Sequence, residues 1–254
     1  MKVFKSIMIL SCFVFFGGMN SSAEMTSDEA FSEFVAAGIA YKEGRYDAAI
    51  SRYNKILDEN WVNGPLYYNL GNSYFKKKDV GQAVLNYERA RKFIPRDSDL
   101  NFNNHYVRSK IDRKVLDAGQ NFFNRAFLRH IQFYTIDEMV MILFCVAFLI
   151  GIVFLISSYV QWSPSIIGGI VMMLMISFLV YGGSLTAKVR VEKGLAIIML
   201  KTDTFFEPRT DSTVHFTLLE GMRARILKTE GNWVKIERLD GKAGWVDVDV
   251  LEKI

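Results

Sequence analysis

The sequence predicts a multidomain membrane protein: an all-α helical-repeat solenoid, a transmembrane α-helical hairpin and a small all-β barrel, in that order. Three observations carry this. Two apolar stretches, MVMILFCVAFLIGIVFLISSYV at 139–160 and IIGGIVMMLMISFLVYGGSL at 166–185, contain no Asp, Glu, Lys, Arg or His. The chain before them has helical periodicity and matches itself at a step of about 34 residues. The chain after them breaks into short β-rich runs separated by turn residues.

Each apolar stretch is roughly 20 residues long, the length of helix that crosses a hydrocarbon core of about 30 Å. A lone segment there satisfies its backbone only as a helix. The link Gln161-Trp162-Ser163-Pro164-Ser165 is too short for a domain, so the two spans form a hairpin. The flanking segments then share a compartment. Lys2 and Lys5, the apolar run 7–16 and Ser21-Ser22-Ala23 have the pattern of a secretory signal peptide at 1–23, cleaved after Ala23. This places both soluble parts on the periplasmic side of a bacterial inner membrane. Arg125, Arg129, Lys188, Arg190 and Lys193 flank the outer ends of the hairpin, whereas the link has no Lys or Arg. The positive-inside rule alone would favour the opposite orientation. The export signal outweighs it, because large domains translocate largely regardless of charge.

A net charge of +4 with no basic run longer than Lys76-Lys77-Lys78 excludes a nucleic-acid signature. Cys12 and Cys145 both lie in apolar stretches, so the soluble parts hold no disulfide framework. His105, His130 and His215 are scattered without ligand-spaced partners, and no Gly-rich phosphate loop is present. The expectation is a non-enzymatic protein with no catalytic residues, no cofactor and no metal. Gly168-Gly169 and Gly182-Gly183 in the second span are expected to permit close helix contact.

The repeat segment covers 28–116, with a capping helix at its end. Its clearest unit is GPLYYNLGNSYFKKKDVGQAVLNYERARKFIP. Small Gly71 and Ala83 let two helices approach, Tyr74 and Tyr87 fill the space around their crossing, and Pro95 ends the second helix. One step back, Ala37, Ala49 and Tyr53 stand at the positions of Gly71, Ala83 and Tyr87. One step forward, Asn104 and His105 replace Leu70 and Gly71, as expected of a terminal unit. Tyr67, Leu70, Gly71, Tyr74, Ala83, Tyr87, Ala90 and Pro95 occupy the signature positions of the tetratricopeptide repeat, which this segment resembles. The resemblance places Phe34, Tyr68 and Phe102 at one groove-facing position and Lys42, Lys76 and Lys110 at another, with Asn72 and Phe75 on the same surface. A groove of aromatics and lysines would bind a peptide carrying carboxylates. The alternative is that the aromatics pack between helices and the lysines cover them.

Residues 117–135 form an amphipathic connector in which Phe123, Phe127, Ile131 and Tyr134 make an apolar stripe. It rests either in the lipid headgroup layer or on the repeat cap. In the last segment, 194–254, strands are expected at 195–200, 213–218, 223–228, 233–238 and 244–248. Asp240-Gly241 signals a two-residue type I′ hairpin turn. Leu219-Glu220-Gly221, the run 232–236 and the run 240–246 resemble the bacterial SH3-like (SH3b) family, and the closing Val250-Leu251 suits that family's last strand or 3₁₀ turn. Trp233 and Trp245 are expected to pack in the core or the hairpin, with a binding platform as the competing reading of both.

The order of signal, repeats, hairpin and SH3-like barrel resembles the BatE-type proteins of bacterial aerotolerance (Bat) operons. That resemblance implies a scaffold in an envelope-stress complex, with von Willebrand factor A-domain membrane proteins and a MoxR-type ATPase system as partners beside the lipid bilayer. The other function compatible with the sequence is a cell-wall tether whose barrel holds peptidoglycan while the repeats recruit a cell-wall enzyme.

Overall fold

The computed structural model of the chain describes residues 25–111, 122–160 and 162–254. The expected signal peptide, the end of the expected cap at 112–116 and the start of the connector at 117–121 lie outside the described residues.

Five helices open the fold: α1 (Ser27–Lys42), α2 (Tyr46–Asp58), α3 (Gly64–Lys76), α4 (Val80–Phe93) and α5 (Ser98–Ile111). Their starts are written in the sequence. Thr26 and Glu29 make a capping box on α1. Asn63 Oδ1 accepts from Leu66 N at 2.8 Å and Asp79 Oδ1 from Gln82 N at 3.0 Å, opening α3 and α4. Each helix packs on the one before it, and α1 also meets α3. A Cβ on Gly71 would lie 2.8 Å from the Tyr87 ring and 3.2 Å from the Ala83 carbonyl, so only glycine permits this crossing.

Helix α6 (Phe122–Phe133) precedes α7 (Ile136–Ser157) and α8 (Pro164–Lys193). The last two pack on each other and are long and apolar enough to cross a membrane, with hydropathies of 3.2 and 2.2. A helix in a soluble core would be mostly covered; here 11% and 0% of the apolar windows is buried. The glycine pairs correct an expectation. A Cβ on Gly168, Gly169, Gly182 or Gly183 would meet nothing within 4 Å, so the α7–α8 contact uses other faces of α8. The connector does not lie free on a surface. Its Ile131 is fully buried, α6 packs on α8, and Lys188 Nζ donates to the Ile131 carbonyl at 3.0 Å.

Gly194 joins α8 to a seven-stranded antiparallel sheet: β1 (Leu195–Ile198), β2 (Thr202–Phe205), β3 (Val214–Leu218), β4 (Arg223–Glu230), β5 (Trp233–Arg238), β6 (Ala243–Asp247) and β7 (Leu251–Lys253), in the order β3-β2-β6-β5-β4-β1-β7. Of these, β2 goes beyond the strands expected, and β7, after a 3₁₀ turn at Val248–Val250, stands where Val250-Leu251 is expected to form the last strand or turn. Strand β2 is short and polar, with only Thr204 buried, and β7 has three residues, so neither carries an alternating pattern. The β5–β6 turn also differs from expectation. Only Gly241 has positive φ, at 86°, and Arg238 N donates to the Lys242 carbonyl at 2.8 Å while Gly241 N donates to the Arg238 carbonyl at 2.9 Å. This is a three-residue loop with glycine in the left-handed position rather than type I′. The Asp240 carboxylate explains it by accepting from Arg238 Nε at 2.9 Å. That bond holds the Asp240 pKa down at about 2.

The sheet and the repeats are joined through α4. Buried Ala83, Val84, Leu85, Tyr87 and Ala90 share one apolar cluster with Ile197 of β1. Glu220 Oε1 accepts from Gly81 N at 2.7 Å, placing a carboxylate at the positive end of α4. Arg89 Nη2 donates to Glu252 at 2.7 Å, and Lys92 Nζ to the Ile254 backbone oxygen at 2.9 Å. At the centre lies Glu88, 2% exposed, which Arg91 reaches at 2.7 Å, Arg223 at 3.4 Å and Arg108 at 3.9 Å, with Asn104 donating at 2.9 Å. Burial alone would push the Glu88 carboxyl up. The three guanidinium charges and the amide bond outweigh it and hold the carboxyl well below the ordinary range.

Candidate binding site

The repeat helices α3 and α5 present a polar floor edged by aromatic rings. Tyr87 donates its hydroxyl to Asn72 Oδ1 at 2.8 Å, and Asn103 Nδ2 reaches both Asn72 Oδ1 at 3.2 Å and Tyr68 Oη at 3.0 Å. Burial pushes the Tyr87 phenol up, so it stays a neutral donor. Both bonds to Asn72 use its oxygen. Its amide N–H groups have no partner among the described residues and remain available to a backbone carbonyl or carboxylate.

Beside this floor, Phe75 meets Tyr106 edge-on at 6.2 Å, Phe102 stacks on Tyr106 at 6.5 Å, and Lys110 Nζ sits 5.2 Å above the Tyr106 ring. Phe102 is 70% exposed and Tyr106 44%. Exposed rings stacked on one another form a rigid apolar surface that loses little side-chain freedom on binding.

The structure thus brings Tyr68, Asn72, Phe75, Phe102 and Lys110 together. Phe34 lies elsewhere: half-buried, it packs edge-on to Tyr53 at 5.8 Å within the first repeat. Lys42 and Lys76 are exposed in the last turns of α1 and α3, where a cation complements the helix dipole, and make no ion pair among the described residues. Asn103 and Tyr106 are not among the sequence-predicted residues. Tyr106 stands one repeat step beyond Asn72, so the same register that selected Asn72 would have found it.

On the sheet, Trp245 is buried at 7% exposure with Lys235 Nζ 5.9 Å over its ring, and Trp233 is half-buried, edge-on to Phe205 at 5.7 Å. Both pack more than they project. The exposed aromatic feature of the sheet is Phe206, 56% exposed, stacked on His215 at 4.1 Å. His215 Nδ1 in turn lies 3.0 Å from the Ala243 carbonyl. Among the described residues no group of three or more His, Cys, Asp or Glu is placed to hold a metal ion.

Residues 206–252 match the bacterial SH3 domain family. The match runs from before β3 into β7 and does not extend to the helical segments. A comparison with curated proteins finds no match.

Proposed function

We propose that this chain is a membrane-anchored, non-enzymatic scaffold that holds an extended peptide of a partner protein on the Tyr68–Asn72–Phe75–Phe102–Tyr106–Lys110 surface. The observation that carries the reading is the pairing of an exposed aromatic stack with free amide donors on a rigid helical support. The 34-residue register of α1–α4 supports a tetratricopeptide repeat, a fold that serves such binding. The uncovered apolar faces of α7 and α8 support insertion in a bilayer, and the export signal favours the periplasmic side of a bacterial inner membrane. Bacterial SH3 domains bind proteins or peptidoglycan, so a binding rather than a chemical role fits the C-terminal part as well. Here the sheet serves first as a brace, because its β1 and β7 sides are committed to α4. The domain order fits a Bat-type envelope complex containing von Willebrand factor A-domain proteins and a MoxR-type ATPase system.

The test is affinity purification of the full chain carrying Phe102→Glu with Lys110→Glu. Both side chains are exposed, so the thermal unfolding midpoint is expected to stay unchanged while partner recovery falls at least tenfold. Unchanged recovery would remove the groove from the proposal. The exposed Phe206–His215 pair favours a second reading, a cell-wall tether. Sedimentation of the detergent-solubilised chain with purified peptidoglycan, lost in Phe206→Ala, would favour the tether.

A further inference from the structure

A cleft of about 660 Å³ opens where the repeats, α6, the end of α8 and the sheet meet. Six guanidinium groups line it: Arg91, Arg108, Arg129, Arg223, Arg225 and Arg238, drawn from α4, α5, α6, β4 and β5. Among the described residues, three carboxylates pair with them. Glu88 serves Arg91, Arg108 and Arg223; Glu237 lies 3.5 Å from Arg225; Asp240 pairs with Arg238. Setting aside the Arg238–Asp240 pair, five guanidinium groups face two carboxylates among the described residues, an excess of positive charge. Arg129 is exposed and has no ion pair among the described residues, and Arg223 Nε is buried without a hydrogen-bond partner there.

Such an arrangement is electrostatically unfinished. Arg108 and Arg223 are 15% and 12% exposed, and burial together with neighbouring guanidinium charge pushes both below their ordinary pKa. Like charges held together in a partly desolvated cleft are relieved by a multivalent anion with several acceptor oxygens, and the guanidinium fork matches phosphate bidentately. A single carboxylate would neutralise only one of the surplus charges. The site also has a defined depth. Phe133, Val191 and Leu195 line it, adjoining the start of α7 at Ile136 and the end of α8 at Lys193. With the hairpin in a bilayer, as proposed above, the cleft opens at the outer edge of the headgroup layer.

We propose that this arginine cleft binds a phosphate-bearing anion, presented by an anionic phospholipid headgroup or free in solution. The headgroup arm rests on the bilayer placement of the hairpin; the free-phosphate arm does not. The experiment uses the full chain in nanodiscs of phosphatidylcholine alone or of phosphatidylcholine with phosphatidylglycerol, with and without inorganic pyrophosphate. Incorporation into nanodiscs reports separately on the hairpin. The readouts are the unfolding midpoint and the number of bound anions by native mass spectrometry. The comparison variant is Arg129→Gln with Arg225→Gln, which spares the Glu88 cluster. A raised midpoint with phosphatidylglycerol alone, with at least tenfold weaker occupancy in the variant, supports the headgroup as source. The same rise with pyrophosphate in phosphatidylcholine discs supports free phosphate. No rise with either anion, or an equal rise in the variant, overturns the proposal.

Discussion

Helices α2 and α4 start 34 residues apart, at Tyr46 and Val80, and carry matching residues, yet their outer faces have opposite fates. In both, an alanine and a tyrosine at matching positions are buried: Ala49 and Tyr53 in one, Ala83 and Tyr87 in the other. On the far side α2 shows Asp47, Ser51 and Arg52 to solvent. The residues one step later are Gly81, Leu85 and Asn86, all buried. A Cβ on Gly81 would lie 3.3 Å from the Met199 backbone, so the glycine admits the sheet where Asp47 meets water. One scaffold is therefore used twice, once as a free surface and once as a docking face, and the difference is made by a few side chains outside the repeat signature.

The sharpest break in this comparison is at Glu88 and its counterpart Asn54. Glu88→Ala leaves three guanidinium groups around an empty centre and is expected to cost about 3–5 kcal/mol in urea unfolding, whereas Asn54→Ala stays within about 0.5 kcal/mol. Next, Leu85→Ala is expected to cost about 2–5 kcal/mol through lost burial and the cavity left behind, against less than about 0.5 kcal/mol for Ser51→Ala. The pH response follows from the same carboxylate. The Glu88 pKa is depressed on folding, so its contribution is fully present above the unfolded value of about 4.3 and is lost as pH falls below it. The unfolding midpoint should therefore be flat from neutrality to about pH 5 and decline in acid, with a shallower decline in Glu88→Gln. The smallest effect lies in the turns that follow α1 and α3. Gly44 has φ 76° and Lys78, one step later, φ 67°. Lys78→Gly is expected to raise stability by about 1 kcal/mol and Gly44→Ala to lower it by about as much, both read from the unfolding midpoint.

The helical character of the first segment, the two apolar spans and most strands were legible because periodicity acts locally. Gly71 states its role against Ala83 and Tyr87 within sixteen residues. The docking of the sheet on α4 was not legible, because it depends on contacts such as Gly81 with Glu220, separated by more than half the chain. A trace was present. Asn104 replaces the Leu70 of the preceding unit, and its amide is one of the donors to Glu88. The departure from the repeat pattern that reads as a terminal cap is also part of the polar joint. The surface on α3 and α5 was half legible: Tyr68, Asn72, Phe75, Phe102 and Lys110 followed from register, but Phe34 is drawn into packing by Tyr53. Trp233 and Trp245 pack more than they project, since a tryptophan in a small sheet serves packing as readily as contact.

Helix α8 passes into β1 through the single residue Gly194, and β1 lies against α4. With so little slack, a change in the tilt of α8 swings the sheet and the repeats together like an arm on an axle. If the hairpin lies in a bilayer and the outer helices hold cargo, as proposed above, that cargo would exert torque on the hairpin, and a squeeze or stretch of the bilayer would reorient the cargo.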